Sequence, residues 1–176
     1  MSDATPTPTV DERFGDKGAP TTPWESVSRA LQDAELYWLT TVRPNGRPHV
    51  TPVIGLWRSG GMHFATGPEE QKAHNINGNP LVAITTGVNT WADGLDVVVE
   101  GAAVRVTDSA HLHLVADAIE AKYGSAWTFT VGGDGDIFGD RDHPAHLFKV
   151  DPDKVLAFGK NPHTQTAFRF SKPNVA

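Results

Sequence analysis

The 176-residue sequence predicts a mainly β fold with a few helices, a closed or partly closed barrel built as one domain. Three observations carry this prediction. Six or seven short runs rich in β-branched and aromatic residues recur along the chain, turn residues punctuate them, and only three segments show helical spacing. The length and the 39% hydrophobic content suit a single globular domain that needs no covalent staple.

Residues 1–22 are rich in Thr, Pro, Asp and Gly, with Val10 and Phe14 the only large apolar side chains. So little apolar surface does not offset the entropy of ordering, so a disordered tail is expected there and the folded domain over 23–176. Thr22-Pro23-Trp24-Glu25 has the capping-box pattern with Pro at the first helical position. Val27, Ala30, Leu31 and Ala34 then recur at helical spacing and predict a helix of about ten residues. The run from Leu36 to Val42 reads as a strand, and Pro44-Asn45-Gly46-Arg47 as a hairpin turn. His49 to Trp57 and Met62 to Thr66, joined by Ser59-Gly60-Gly61, extend this to three antiparallel strands in a row.

A short helix is expected over about Glu69 to Ile76, stopped by Asn77-Gly78-Asn79-Pro80. Leu81 to Thr86 and Leu95 to Val106 are further strands, with Gly101 marking a bulge or bend. Asp108 caps a helix whose face is Leu112, Val115, Ala116 and Ile119. A Gly- and Asp-rich loop covers 124–143 around Trp127 and Phe129. Two strands, about Ala145 to Val150 and Val155 to Phe158, precede a terminal segment at Ala167 to Phe170.

Composition excludes several kinds of chemistry. Without cysteine there is no disulfide, thiolate zinc site or cysteine nucleophile. The net charge of −6, with no concentration of Lys and Arg, argues against a nucleic-acid partner. No apolar run approaches the roughly 18 residues of a membrane span, and the first residues lack the apolar core of a signal peptide, so a cytoplasmic location is expected.

Three constellations could bind a ligand. Thr66-Gly67-Pro68 leads from a strand into a helix carrying Lys72 and Asn75; a helix N-terminus with an added cation suits a phosphate, the alternative being a surface Lys on a short exposed helix. In His49-Val50-Thr51-Pro52-Val53, a proline inside a strand marks a sheet edge. Its free main-chain groups could read a planar heteroaromatic ring, or it is an ordinary edge protected by proline. Gln165 to Phe170 places amide, aromatic and cationic groups at the chain end, to close over a ligand or to anchor the terminus.

Other groups read as solvated surface. His111 and His113 stand two apart on a helix and point to different faces. The Asp134, Asp136, Asp140, Asp142 loop resembles a calcium loop, but Phe138 and Ala145 stand where ligands are required. Ser26 and Ser28 lack a nucleophile context, and the glycine-rich turns fit no nucleotide-binding pattern, so no metal ligand or catalytic side chain is assigned.

The order of these features resembles the pyridoxamine 5'-phosphate oxidase-like split barrels, the flavin- and deazaflavin-dependent oxidoreductases. The matching stretches are Leu39-Thr40-Thr41-Val42 with Asn45-Gly46-Arg47-Pro48, Val50-Thr51-Pro52-Val53, and Phe64-Ala65-Thr66. Lys72-Ala73-His74-Asn75-Ile76 with Asn79-Pro80 follows, then Val99-Glu100-Gly101-Ala102-Ala103 and Phe158-Gly159-Lys160 with Gln165-Thr166. The resemblance implies a homodimeric FMN-binding split barrel, with FMN or the deazaflavin coenzyme F(420) held between subunits. Val50, Thr51, Pro52 and Val53 would lie along the ring, Thr66, Gly67, Lys72 and Asn75 would hold the phosphate, and Gln165 and Phe168 would arrive from the partner subunit. It further implies hydride transfer between reduced cofactor and a small organic acceptor, with His49 and Trp57 near the substrate. A basic groove for the deazaflavin's anionic tail would draw on Arg43, Arg47, Arg58 and Lys72. The alternative is a non-catalytic carrier of flavin, haem or another planar ligand. One departure stands out: where the family often closes with Thr-Arg-Trp (or Tyr)-Arg-Phe, this chain has Thr166-Ala167-Phe168-Arg169-Phe170.

Overall fold

The computed structural model describes residues 6–11, 13–133, 135–138 and 143–170. These form a split β-barrel with three α-helices. In chain order they are β1 (Pro8–Val10), α1 (Trp24–Asp33), β2 (Tyr37–Val42), β3 (Pro48–Val53), β4 (Leu56–Arg58), β5 (Gly61–Thr66), α2 (Gln71–Gly78) and β6 (Leu81–Thr86). There follow β7 (Leu95–Arg105), α3 (Ser109–Tyr123), the short β8 (Thr130–Val131) and β9 (Ile137–Phe138), β10 (Pro144–Lys160) and β11 (His163–Arg169). Every pairing is antiparallel, and the main path runs β1-β11-β10-β7-β6-β2-β3.

The split lies beside β3, whose register partners are all on β2. The expected run His49 to Trp57 is broken at Ile54-Gly55 into β3 and β4, so three strands in a row become two separate hairpins. The break follows from Gly55, whose N–H and C=O are both taken by the Tyr123 hydroxyl, at 3.1 and 2.8 Å. No side chain fits there: an added Cβ would lie 3.0 Å from the His63 carbonyl oxygen and 2.3 Å from the Met62 methyl. The β2–β3 turn has Gly46 at φ 81°, and the β4–β5 turn has Ser59 and Gly60 both at positive φ, as the Asn-Gly and Ser-Gly-Gly signals require.

The two strands expected at 145–150 and 155–158 are one long strand, β10. Its first half pairs with β5 and its second with β11, while β7 runs alongside both. The bend is a register shift between Pro152 and Lys154, opposite Gly101. A Cβ on Gly101 would meet the Asp151 carbonyl oxygen at 2.4 Å, so the glycine permits the close approach while the extra residue sits on the partner strand.

α1 buries Val27 and Leu31 completely against the barrel, each worth about 1.5–3 kcal/mol of burial. Its start differs from the capping-box expectation. Pro23 is the N-cap without a side-chain cap bond, and Thr22 turns to β11, its N–H donating to the Thr166 hydroxyl at 3.0 Å. α3 begins as expected, with the Asp108 carboxylate accepting from the His111 N–H at 2.8 Å. It covers a second apolar cluster of Val106, Leu112, Val115, Ile119, Ile137 and Leu147. β5 is therefore buried on both faces. Met62 and Phe64 belong to the barrel core, whereas Ala65 packs with the α3 cluster and His63 meets His111 of α3.

The expected disordered tail is partly structured. β1 adds a strand to β11, and Asp16 takes up the β10–β11 turn, its N–H donating to the His163 carbonyl at 2.7 Å. Main-chain pairing along an exposed edge orders this segment with little apolar burial, a source of order that composition does not register.

Candidate functional site

The strand β5 ends at Thr66, and the chain turns through Gly67-Pro68 into α2, whose N-cap is Glu70. The Glu70 side chain folds back over this turn. Its carboxylate accepts from the Thr66 hydroxyl at 3.1 Å and from the Gly67 N–H at 2.8 Å, and it is paired with the Lys72 ammonium. Three of the four residues expected to hold a phosphate thus converge on a single anionic group. Lys72 is the buried member, its side chain 10% exposed, whereas that of Glu70 is 52% exposed. Burial acts against the Glu70 carboxylate. The hydrogen bonds from Lys72 and Gly67, the Lys72 charge and the Thr66 hydroxyl outweigh it and hold the pKa below the usual glutamate value.

The fourth residue, Asn75, is buried at the next turn of α2. Its amide donates to the Thr41 hydroxyl at 2.8 Å and accepts from the Gln71 amide at 2.8 Å. Thr41 faces His49 across the β2–β3 pair, with 3.4 Å between the hydroxyl and Nδ1. Burial lowers the His49 pKa, and the charges of Arg43 and Lys72 add to the effect, so both cations bear on the start of β3. A polar chain of Gln71, Asn75, Thr41 and His49 therefore joins the Thr66–Lys72 cradle to the open strand.

On β3 the four expected ring contacts divide between two faces. Val50 is 53% exposed and Pro52 is exposed on the outer side, while Val53 is in the core. Thr51 points inward, and its hydroxyl is buried with no hydrogen-bond partner among the described residues. What the four share is the free main-chain edge.

Several expectations are corrected. Phe168 does not stand free at the chain end. It is fully buried in the barrel core, its ring 5.0 Å from that of Trp24. Gln165 and Ala167 lie on the opposite, half-exposed face of β11, because alternate residues of a strand point to opposite sides. Trp57 is also a core residue, 5% exposed and packed edge-on to Trp24 at 6.2 Å, so it is not a substrate neighbour. Arg58 sits at the Gly61 end of β5, away from the cradle at Thr66, and does not join Arg43 and Lys72 in one groove. His111 is not a merely solvated histidine: its Nε2 is 3.0 Å from Nε2 of the buried His63. Asp136 pairs with Arg105 at 2.5 Å, whereas Asp134, Asp140 and Asp142 lie outside the described residues.

Sequence reasoning missed Glu70, Thr41 and Gln71. Glu70 carried a signal, since an acidic residue three positions after Gly67 can reach back to its N–H, but helix periodicity drew attention to Lys72 instead.

The fold and the cradle together define a split-barrel protein with an anion-holding turn at the end of β5. The chain belongs to the pyridoxamine 5'-phosphate oxidase family, whose model matches residues 24–159. Among solved structures it is similar to the conserved hypothetical protein Rv2991 from Mycobacterium tuberculosis, with a TM-score of 0.66 and 18% identity over 91% of this chain and 98% of that one. An F(420) reductase is similar with a TM-score of 0.52 and 23% identity, covering 73% of this chain and 94% of the other. An FAD-binding protein from Mesorhizobium loti gives 0.59 and 15%, covering 84% and 95%. At these identities the likeness establishes the shared fold. No curated protein sequence matches the chain. No helix among the described residues is long and apolar enough to cross a membrane.

Proposed function

We propose that this chain is a homodimeric cytoplasmic oxidoreductase that binds FMN or the deazaflavin coenzyme F(420) and passes a hydride between the reduced cofactor and a small organic acceptor. The observation that carries the reading is the convergence of the Thr66 hydroxyl, the Gly67 N–H and the Lys72 ammonium on one anion. That donor set fits a phosphate, and the chain's family and the F(420) reductase and FAD-binding protein of like fold agree with such a ligand. When bound, the cofactor supplies the hydride chemistry; the protein's own groups hold and orient it.

In this reading Thr66, Gly67 and Lys72 grip the phosphate, and Asn75 fixes Thr41 and with it the start of β3. The free edge of β3 offers main-chain donors and acceptors to the polar edge of the ring, and the Thr51 hydroxyl lies beside it with capacity to spare. Gln165 stands five strand positions from β3 in the same protomer, about 24 Å along the sheet. In the proposal it approaches a ring on β3 from a second copy, which is why the dimer belongs to the reading. The exposed Trp38, Val50 and Pro52 share the outer face of the β2–β3 hairpin and suit such a contact.

Titration of the protein with FMN and with F(420), followed by absorbance and fluorescence, tests this. Lys72→Ala is expected to weaken the bound cofactor about 10- to 100-fold, the equivalent of roughly 1.5–3 kcal/mol for a hydrogen bond to a charged group. Unchanged affinity would remove Lys72 from the phosphate site. Tight binding without steady-state turnover of any acceptor would leave a carrier.

A further inference from the structure

We propose that Glu70 is a displaceable internal anion: its carboxylate and a ligand phosphate compete for the same three donors, so Glu70 sets how tightly and how selectively the site takes phosphate. The inference rests on the reading of the Thr66–Lys72 turn as a phosphate cradle and names a residue that tunes it.

The geometry leaves no room for both anions. The Thr66 hydroxyl has one proton to give, with Glu70 Oε1 at 3.1 Å and the Gly67 carbonyl at 3.3 Å both within reach, and the Gly67 N–H points to the same Oε1 at 2.8 Å. The Lys72 ammonium takes the other oxygen, Oε2. A phosphate on these donors would stand where the carboxylate stands, and two anions sharing one site repel strongly at reduced solvation. One of them must leave, and the burial pattern shows which partner is fixed. Lys72 is held with 10% of its side chain exposed, whereas Glu70 is already half in water at 52%. Rotation of Glu70 into solvent gives up its two hydrogen bonds and its pairing with Lys72, and an incoming phosphate takes up the same three donors. The lowered pKa keeps Glu70 ionised at neutral pH, so the competition operates under ordinary conditions.

The arrangement also confers selectivity. An incoming monoanionic carboxylate merely replaces one carboxylate by another and gains nothing. A phosphate dianion brings more charge to Lys72 and a third oxygen to the N–H groups at the start of α2, so it displaces Glu70 where a carboxylate does not. A site occupied about nine-tenths of the time by its own side chain shows an apparent affinity roughly tenfold below its intrinsic one.

The test uses the full chain and three variants, with two probes. Glu70→Gln removes the competing charge, Glu70→Asp keeps the charge but shortens the reach, and Glu69→Gln removes the neighbouring, 92% exposed carboxylate as a control for the general field. Inorganic phosphate, titrated at constant ionic strength against chloride and acetate, is read by thermal shift; FMN and F(420) are read by fluorescence. Glu70→Gln is expected to bind phosphate and the cofactor about five- to tenfold more tightly, Glu70→Asp to gain less, and Glu69→Gln to change less than twofold. Acetate should not stabilise the unmodified chain or Glu69→Gln, both of which keep the competing Glu70 carboxylate.

Equal gains from Glu69→Gln and Glu70→Gln would overturn the proposal, as would an unchanged or weakened affinity in Glu70→Gln that remains folded by circular dichroism. Cofactor binding by the unmodified chain with no gain in Glu70→Gln sinks the Glu70 proposal and leaves the cofactor reading standing. A phosphate gain with no binding of either cofactor supports Glu70's role and sinks the flavin reading.

Discussion

Phe168→Ala is expected to lower the stability of the protein by about 3–5 kcal/mol while leaving cofactor affinity unchanged in the folded state. The ring is fully buried between β1 and β10, opposite Pro8 and Val155 in the register and 5.0 Å from Trp24. Trp24 in turn packs on Phe170 at 5.5 Å and on Trp57 at 6.2 Å. Removing Phe168 therefore takes away the fully buried member of an aromatic cluster, centred on Trp24, that fastens α1 and the last strand to the barrel. The neighbours belong to β-strands and one helix and cannot collapse to fill the space, so the cavity term adds to the transfer term. In a domain of this size the melting temperature should fall by on the order of 10 °C, read by circular dichroism. A melting temperature unchanged within a degree, together with lost cofactor binding, would place this ring in the ligand site after all.

The second large effect is loss of stability in acid, centred on His63. Burial holds this imidazole neutral, the nearby His111 and Lys149 reinforce it, and the Leu56 carbonyl and Asp151 oppose it; the pKa is pushed down to about 4. The Leu56 carbonyl can only accept, which favours a proton on Nδ1 and leaves Nε2 to accept from His111. The unfolded chain titrates at the ordinary value of about 6.5, so between about pH 6.5 and 4 it binds more protons than the folded one. The contribution is thus fully present above pH 6.5 and disappears as pH falls towards 4, a loss of about 3 kcal/mol. His49 and His146, both lowered chiefly by burial, act in the same direction. Urea midpoints measured at pH 7, 5.5 and 4.5 should fall steadily, and His63→Leu should remove the larger part of the slope. A midpoint that is flat across this window, or an identical slope in His63→Leu, would show that His63 does not control it.

Both predictions depend on facts that local sequence did not contain. Phe168 and Gln165 lie on the same strand, and the alternation of that strand was visible; which parity faces the core depends on the pairing of β11 with β10 and β1. His63 and His111 are 48 residues apart and meet only because α3 lies over β5. Likewise the hydroxyl of Tyr123 reaches Gly55 across 68 residues and divides what reads as one strand into two.

The sequence by itself determined what is local. The β-branched runs, the Asn-Gly and Ser-Gly-Gly turns, the Asp108 cap and the Asn79-Pro80 stop fix strands, hairpins and helices within a few residues, because each acts through the chain's own torsions and nearest neighbours. Thr66, Gly67 and Lys72 were legible for the same reason: one strand end and one helix start bring them together. Only the tertiary structure decided where the barrel splits, that β10 is continuous past its bulge, and that the first residues add a strand to β11. It also decided that the cradle's donors already share an anion in Glu70. The physical reason is the same in each case: long-range pairing selects among faces and partners that a local pattern leaves equivalent.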